Sequence, residues 1–462
     1  MKENKIFIFP KIIFPIFLLI GLLISACDID KNINNSPNAI NQDKVKSVEG
    51  VYGLSISLQV AAADYYQRDR SRIASIWTWQ VCAPPGIARA QFLEWNAYYM
   101  TSAGETEDMW ALAYRGIRIA NDIIEFAPEV DFKEDNTGIT NVLVGMAKTY
   151  KALFLGELTA FYGSIPINIV GLEPPAFVTQ AEAYAEVQKL LDEALVNFTE
   201  TGAYSRDLNY GGDGAKWTAM AHSLKARYFL HVKNYTNALT EANQGITSAN
   251  DNLWAIFSNN AGEYSEWGQF AIDEGDPLRC DWTYMRLLKS EPGDKRLAEY
   301  FTTPVDAAGE YYGYAVRNEA QAADEEKDIK YTASLKKYAT YDAWFPLCSY
   351  EEVVLIKAEC KARANDLTGA AADVNIIRTQ AGLPDYTAGT QAEAIAEILK
   401  QKYMQLFLEG QCYHDMRRTG TLPDDIIPKR WLYPDAEITT NPNVPDDDDH
   451  LVYDILDDKY KQ

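Results

Sequence analysis

Residues 350–420 constrain the fold more than any other stretch of the chain. They read YEEVVLIKAECKARANDLTGAAADVNIIRTQAGL, a short connection, and then AIAEILKQKYMQLFLEGQCYHDMRRTG. Apolar side chains recur at helical spacing in three segments. In the second, Ala370, Ala371, Val374, Ile377 and Ala381 form one stripe of a helix; in the third, Ile395, Ile398, Leu399, Tyr403, Leu406 and Phe407 do the same. Gly382 with Pro384 just beyond predicts the stop of the second helix. A helix with one apolar face cannot bury that face alone, so the rest of the chain must supply helical partners.

Helical patterns with this property run over residues 45–66, 106–124, 137–162, 179–200 and 235–249, and a helix start follows the glycines at 211 and 212. Thr106 is a cap candidate for one of them, with Glu107 and Asp108 in its first turn. Thr179 and Glu182 have the spacing of a capping box. Paired helices with Ala, Tyr and small residues at their crossings resemble tetratricopeptide repeats, although no strict period of about 34 residues is present. The expected fold is mostly α: a TPR-like scaffold of helical pairs with long irregular aromatic-rich loops, forming one domain over residues 44–462.

Two stretches break the helical pattern. Residues 67–104 hold Trp77, Trp79, Pro84, Pro85, Trp95, Tyr98 and Tyr99, and residues 252–346 hold Trp254, Trp282, Tyr284, Tyr311, Tyr312 and Trp344 among glycines and prolines. Sugar rings present apolar C–H faces. Flat aromatic side chains in loops complement them, and nearby amides and acids bond the hydroxyls. Trp95, Tyr98, Trp282, Tyr284 and Tyr311 are the expected ligand-binding residues, because each sits beside polar or turn residues and off a helical stripe. The competing reading of any one of them is a core aromatic. Trp110 and Trp217 lie on helical patterns and are assigned to the core.

At the start of the chain, Lys2, Lys5 and Lys11 precede an apolar run of 13 residues over 12–24. That is shorter than the roughly 20 residues that span a bilayer, and it fits the core of a signal peptide over residues 1–26. The run ends Ile24-Ser25-Ala26-Cys27, small residues before a cysteine, as in bacterial lipoproteins. Cys27 is the expected lipid attachment site, and two or more acyl chains there suffice for stable anchoring. The polar, Asn-rich residues 27–43 read as a flexible tether.

Other classes are excluded or left without a signal. A formal charge of -23 repels phosphate backbones, which argues against nucleic acid as a partner. Cys82, Cys280, Cys348, Cys360 and Cys412 form no CxxC pair, so no disulfide framework is indicated. The 4 histidines lack metal-ligand spacing. The glycines at 211 and 212 lack phosphate-loop spacing, and no nucleophile elbow, zinc-protease or dinucleotide motif is present. No catalytic residue, metal or cofactor is therefore expected. The acidic run at 446–449 could hold calcium through oxygen ligands, but such a run is more often a solvated loop.

Several blocks carry a family resemblance. Glu352, Val353, Leu355, Ala358 and Glu359 form one; Asn375, Arg378, Ala381, Gly382 and Leu383 a second; Leu406, Glu409, Gly410, Asp415, Arg417 and Arg418 a third. Upstream lie Tyr162-Gly163-Ser164-Ile165-Pro166 and Tyr210-Gly211-Gly212-Asp213 with Lys216, Trp217 and Arg227; downstream lie Pro434, Glu437, Asn441 and Pro442. In this order they resemble the SusD/RagB family of outer-membrane nutrient-uptake lipoproteins over nearly the whole mature chain. Gln401, Lys402, Gln405 and Gln411 stand where that family favours Glu, Arg, Glu and Arg. The resemblance implies a cell-surface lipoprotein that binds an oligosaccharide or polysaccharide without catalysis. It also implies delivery of that glycan to a SusC-like TonB-dependent transporter. Two alternatives stay open: a helical-repeat adaptor for a peptide or protein, and a surface glycosidase with paired carboxylates. Glu352, Glu359, Arg378, Glu409, Arg417 and Arg418 are expected to form an internal charge network.

Overall fold

The computed structural model of the chain describes residues 42–169, 171 and 173–445. The expected signal peptide, Cys27, the tether as far as residue 41 and the acidic run at 446–449 lie outside the described residues. One turn, α1 (Gln42–Val45), precedes α2 (Val48–Gln67), which is capped by the Ser47 hydroxyl accepting from the Gly50 N–H at 3.2 Å. Then come α3 (Asp69–Trp77), α4 (Ala90–Asn96), α5 (Glu105–Phe126), α6 (Asn136–Tyr162), α7 (Gln180–Asn197), α8 (Gly214–His231) and α9 (Tyr235–Ala242). An irregular excursion carries α10 (Glu266–Ile272), α11 (Trp282–Lys289) and α12 (Arg296–Tyr300). The chain returns with α13 (Tyr350–Arg363), α14 (Leu367–Gln380), α15 (Gln391–Gln405) and α16 (Gln411–Thr419), and α17 (Asp435–Thr440) follows.

The long helices stack as pairs. α2 packs on α5, α5 on α6, α6 on α7, α7 on α8 and α8 on α9; α13 then packs on α9 and carries α14 and α15. Each pair covers the apolar face that its neighbour cannot bury, which is the logic of a TPR-like solenoid. Close approach is bought with glycine at the crossings. Gly116 on α5 faces the Phe154 ring and Gly156 on α6 faces the Tyr228 ring, where any Cβ would overlap ring atoms. The stripes of residues 350–420 bury largely against one another rather than against the rest of the chain: Val354, Leu355, Ala358, Val374, Ile377 and Ile398 enclose a small apolar cluster between α13, α14 and α15, and α9 supplies an outside partner for α13. Trp110 and Trp217 are core residues, as their helical patterns predict.

Four local expectations are corrected. Thr106 does not cap α5. Gly104 does, and the buried Thr106 hydroxyl donates to Leu432 O at 2.6 Å. The capping box at Thr179 and Glu182 forms as read. The helix expected over 235–249 ends at Ala242, and the turn beyond it brings the Ile246 N–H to Ser223 Oγ at 3.0 Å. The third pattern of residues 350–420 splits at Gly410, whose φ of +82° starts α16 as a separate helix. Residues 67–104 are not irregular throughout, because α3 and α4 lie within them.

The expected internal charges are mostly paired, though only Glu359 and Arg418 pair with each other and the rest bond residues outside that set. Arg227 donates twice to Glu352, at 2.6 and 2.5 Å, and Arg418 donates to both oxygens of Glu359 at 2.7 and 2.5 Å. Arg378 pairs with Glu397, Glu409 with Lys337 at 3.0 Å, and Arg417 donates to Lys429 O at 3.0 Å. Three of the four departures from the family pattern have side-chain partners of their own. Gln401 accepts from Arg296 at 2.9 Å, Lys402 pairs with Asp415 at 2.9 Å, and Gln411 donates to Glu157 at 3.1 Å. Cys82, Cys280, Cys348, Cys360 and Cys412 are buried free thiols. No helix among the described residues is long and apolar enough to cross a membrane.

Candidate functional site

Two short strands join the two aromatic-rich stretches. β1 (Val81–Cys82) and β3 (Arg279–Cys280) pair antiparallel, with Val81 opposite Cys280. On the far side of β3, the Tyr314 N–H donates to Cys280 O at 2.8 Å and the Trp282 N–H to Tyr314 O at 3.1 Å. Segments far apart in sequence thus lie side by side, with Val81, Cys82 and Cys280 buried.

Arg317 locks this junction. It donates to Asp281 Oδ2 at 3.1 Å and to Asn96 O at 3.0 Å, and its guanidinium lies 5.6 Å from the Trp79 ring and 5.4 Å from the Tyr98 ring. Planar delocalised charge against two aromatic faces is a cation–π arrangement that lysine would reproduce poorly. The Trp79 indole N–H donates to the Tyr98 hydroxyl at 2.7 Å. The Asn96 side chain holds the loop by bonding both the N–H and the C=O of Ala83, at 3.0 and 2.6 Å. Trp79 and Tyr98 both have positive φ, 60° and 61°. For bulky residues this backbone costs about 1–3 kcal/mol each, and such strain gathers at ligand clamps.

Asp281 caps α11 by accepting from the Thr283 N–H at 2.8 Å. Burial pushes its carboxyl up to about 6, against the opposing pull of Arg317 and the Thr283 N–H. On the outward side of α11, the Trp282 indole N–H donates to Glu326 at 2.8 Å, and Arg286 covers the ring at 4.6 Å. Tyr311 is half-buried, and its carbonyl accepts from Lys289 at 3.1 Å.

Of the five expected ligand residues, Tyr98 lies against Arg317 and Trp282 follows its partner Asp281 in sequence, while Tyr311 precedes the bridge residues Tyr312 and Tyr314. Tyr98 is corrected: it is a buried core residue at 8% exposure and supports Trp79 rather than offering a ring face. Trp95 and Tyr284 also require correction. Trp95 packs on Phe92 inside α4 and donates to Glu105 at 3.2 Å; Tyr284 stacks on Phe407 at 4.7 Å and donates to Met404 O at 2.8 Å. Both are fully buried, so neither offers a ring face to a sugar. α4 and α11 are only 7 and 8 residues long, too short for a stripe to be recognised in sequence. Sequence reasoning passed over Trp79 and the exposed Tyr99 among the aromatics, and it missed Arg317 altogether. Nothing local marks that arginine, because its partner Asn96 is 221 positions away.

No cluster of three or more metal-ligating side chains occurs among the described residues. Residues 78–434 match the profile of SusD-like proteins, described as "Starch-binding associating with outer membrane". The chain belongs to the SusD-like family. The match takes in residues 78–104 of the first aromatic stretch, the whole of the second and Arg317, and the family consists of binding proteins of the outer membrane rather than enzymes. Solved structures agree on the fold. A SusD/RagB family protein from Bacteroides thetaiotaomicron superposes with a TM-score of 0.64 at 19% identity, covering 84% of this chain and 94% of that one. A putative outer membrane protein from Bacteroides vulgatus, probably involved in nutrient binding by its own description, gives 0.67 at 19% identity, covering 84% and 94%. A chitin-binding SusD homolog from Flavobacterium johnsoniae gives 0.65 at 17% identity, covering 85% and 93%. No curated protein matches the chain.

Proposed function

We propose that this SusD-like protein is a lipid-anchored cell-surface receptor that captures an oligosaccharide or polysaccharide and passes it to a SusC-like TonB-dependent transporter. The ligand face comprises Trp79, Tyr99, Trp282 and Tyr311, with Arg286 as a hydroxyl donor, while the buried Tyr98 and the mostly buried Arg317 hold Trp79 from beneath. The observation that carries this reading is the β1–β3 junction. It brings two aromatic loops together around one arginine, with two strained aromatic residues held in place before any ligand arrives. Stacking on aromatic rings with a few fixed polar groups is the recognition chemistry that a neutral sugar requires. Cys27 would hold the chain at the outer leaflet through its acyl chains. The starch-binding description of the family and the chitin-binding relative support starch-type and chitin-type glycans as the first ligands to test.

Affinity gels and titration calorimetry with Trp79→Ala, Trp282→Ala and Tyr311→Ala test the face. Trp282→Ala should lower affinity at least about tenfold, the scale of one lost ring-stacking contact together with its neighbours. Full retardation of all three variants in the gel would remove the face from consideration. Peptide binding in the absence of any polysaccharide binding would replace this reading with the adaptor. Co-purification with the transporter from outer-membrane extracts tests the delivery partner.

A further inference from the structure

A second aromatic cleft opens elsewhere, and it shares no residue with the Arg317 face. β2 (Leu253–Ala255) pairs antiparallel with β4 (Phe345–Cys348), and the register slips between Leu253 and Trp254. Such an irregularity bends a strand and re-aims its side chain. Trp254 here divides two adjoining cavities of about 390 and 340 Å³, both within the range of about 300–1,000 Å³ for ligand sites. The first runs along Gln59, Val60 and Asp64 of α2 to Tyr264, and the second reaches Asn250 and Trp344.

The cleft has the parts of a sugar site. The Trp254 and Trp344 rings form a tilted pair, 6.2 Å apart and inclined at 57°. Trp344 is 48% exposed although its indole N–H is tied to Phe257 O at 3.2 Å, so its orientation is fixed and its surface free. Tyr264 stacks on Tyr341 at 4.1 Å, and the Tyr341 hydroxyl donates to Asp273 at 2.6 Å. The floor is rigid without a ligand. Asn209 accepts from the Trp254 N–H at 2.8 Å and donates to Trp254 O at 3.2 Å, while Gln59 accepts from the Leu208 N–H at 3.0 Å and donates to Arg206 O at 2.8 Å. Leu208 and Val60 remain 51% and 58% exposed on its rim.

Charge selects the occupant. Arg68, the cation of the cleft, is taken up by Asp64 at 2.5 Å and Glu266 at 3.2 Å. Glu263 on the rim is held below the usual carboxylate range by Ser258 and Asn260, and Asp342 nearby is held down by Thr340 and Asn259. A uronate or sulfated glycan would meet fixed negative charge and no free partner. We infer that the Trp254–Trp344 cleft is a second saccharide site, specific for uncharged oligosaccharides and independent of the Arg317 face. It rests on the glycan reading of the protein but on none of the residues of the first face. Two sites on one chain hold a long polymer through effective concentration, without new contacts at either site.

The test is calorimetry with chitohexaose and maltohexaose and with their parent polymers. It compares the full chain with Trp344→Ala, Trp282→Ala and the double variant. Trp344 is half exposed, so its loss spares the fold, which melting temperature verifies. The expected result is a hexasaccharide stoichiometry that drops from two to one in either single variant, with polymer affinity at least about tenfold lower. Binding that survives Trp282→Ala and vanishes only in the double variant supports the cleft and identifies the first face separately. Unchanged stoichiometry and polymer affinity in Trp344→Ala overturn the cleft, whatever Trp282→Ala does. Loss of transporter co-purification in Trp344→Ala with glycan binding intact also overturns it, in favour of a protein contact. A wild-type chain that binds no glycan overturns both sites.

Discussion

The Glu157 carboxylate is fully buried on α6, and its neighbours keep it charged. Arg70 donates to it at 2.8 and 2.5 Å and Gln411 at 3.1 Å, while His414 Nε2 stands 3.4 Å away and Arg227 3.8 Å away. Burial raises its proton affinity, but Arg70, His414 and Arg227 together hold it well below the usual carboxylate range. The two histidines beside it go the other way. Burial first, then the charge of His414, keeps His231 neutral well below its ordinary range; burial, with Arg417 and Arg70 opposing Glu157, takes His414 down to about 4. The consequence for stability has a definite sign. Between pH about 6.5 and about 4 the unfolded chain gains protons on these imidazoles that the folded chain refuses. His414 alone then costs up to about 3 kcal/mol of stability across that window. Urea unfolding at pH 7 and at pH 4.5 should therefore show a marked loss in the wild type and a smaller loss in His414→Gln. Equal losses would mean that His414 titrates normally. None of this was visible in the chain order: Glu157 and His414 both stand in helical patterns, and the sequence does not tell that their faces meet in the core.

At the scale of the helix, what could be read was what repeats. The stripes of α13, α14 and α15 and the capping box of α7 are periodic or local, so they could be recognised before any contact was known. α3 could not. Its sequence DRSRIASIW reads as polar, yet Arg70, Ser71, Arg72 and Ser75 are all buried, because Arg70 is neutralised by Glu157 and Arg72 lies over Phe270 at 4.3 Å. A helix surrounded on all sides has no polar face, and hydrophobic periodicity has nothing to detect. The glycines of the crossings yield a sharper expectation. In Gly156→Ala the new methyl collides with the Tyr228 ring, whose hydroxyl is tied to Leu153 O at 3.2 Å, so the ring cannot retreat without losing that bond. Overpacking of this kind costs about 1–3 kcal/mol. Gly53 on the exposed side of α2 has open space around its Cβ position, and Gly53→Ala should add about 0.5–1 kcal/mol by helix propensity. Denaturant midpoints of the two variants moving in opposite directions would bear this out. A stable Gly156→Ala would show that α6 and α8 can separate without cost.

For the whole molecule, the helical stack serves to hold loops that are distant in sequence against one another. Aromatic-rich loops were legible as composition, but which rings face outward was not, since Trp95 and Tyr284 turn inward on helices too short to announce themselves. Convergence was not legible either. Arg317 binds Asn96 O and Asp281 together, and no pattern in one sequence encodes a contact across 221 positions. The same arginine gives the whole-molecule prediction. Arg317→Lys keeps the charge and removes the planar fork, so one cation can no longer reach Asp281 and Asn96 O while lying against Trp79 and Tyr98. The helical stack does not depend on this contact, and the melting temperature should stay within a few degrees of wild type, a change of about 1 kcal/mol or less in a chain of this size. Glycan affinity at the Arg317 face should fall about tenfold, equivalent to about 1.4 kcal/mol, because Trp79 and Tyr98 would no longer be held in their strained conformations before the ligand arrives. Calorimetry on the Trp344→Ala background isolates that face from the cleft. An unchanged affinity there would mean that the loops keep their arrangement without Arg317, and that the β1–β3 pairing alone holds the ligand face.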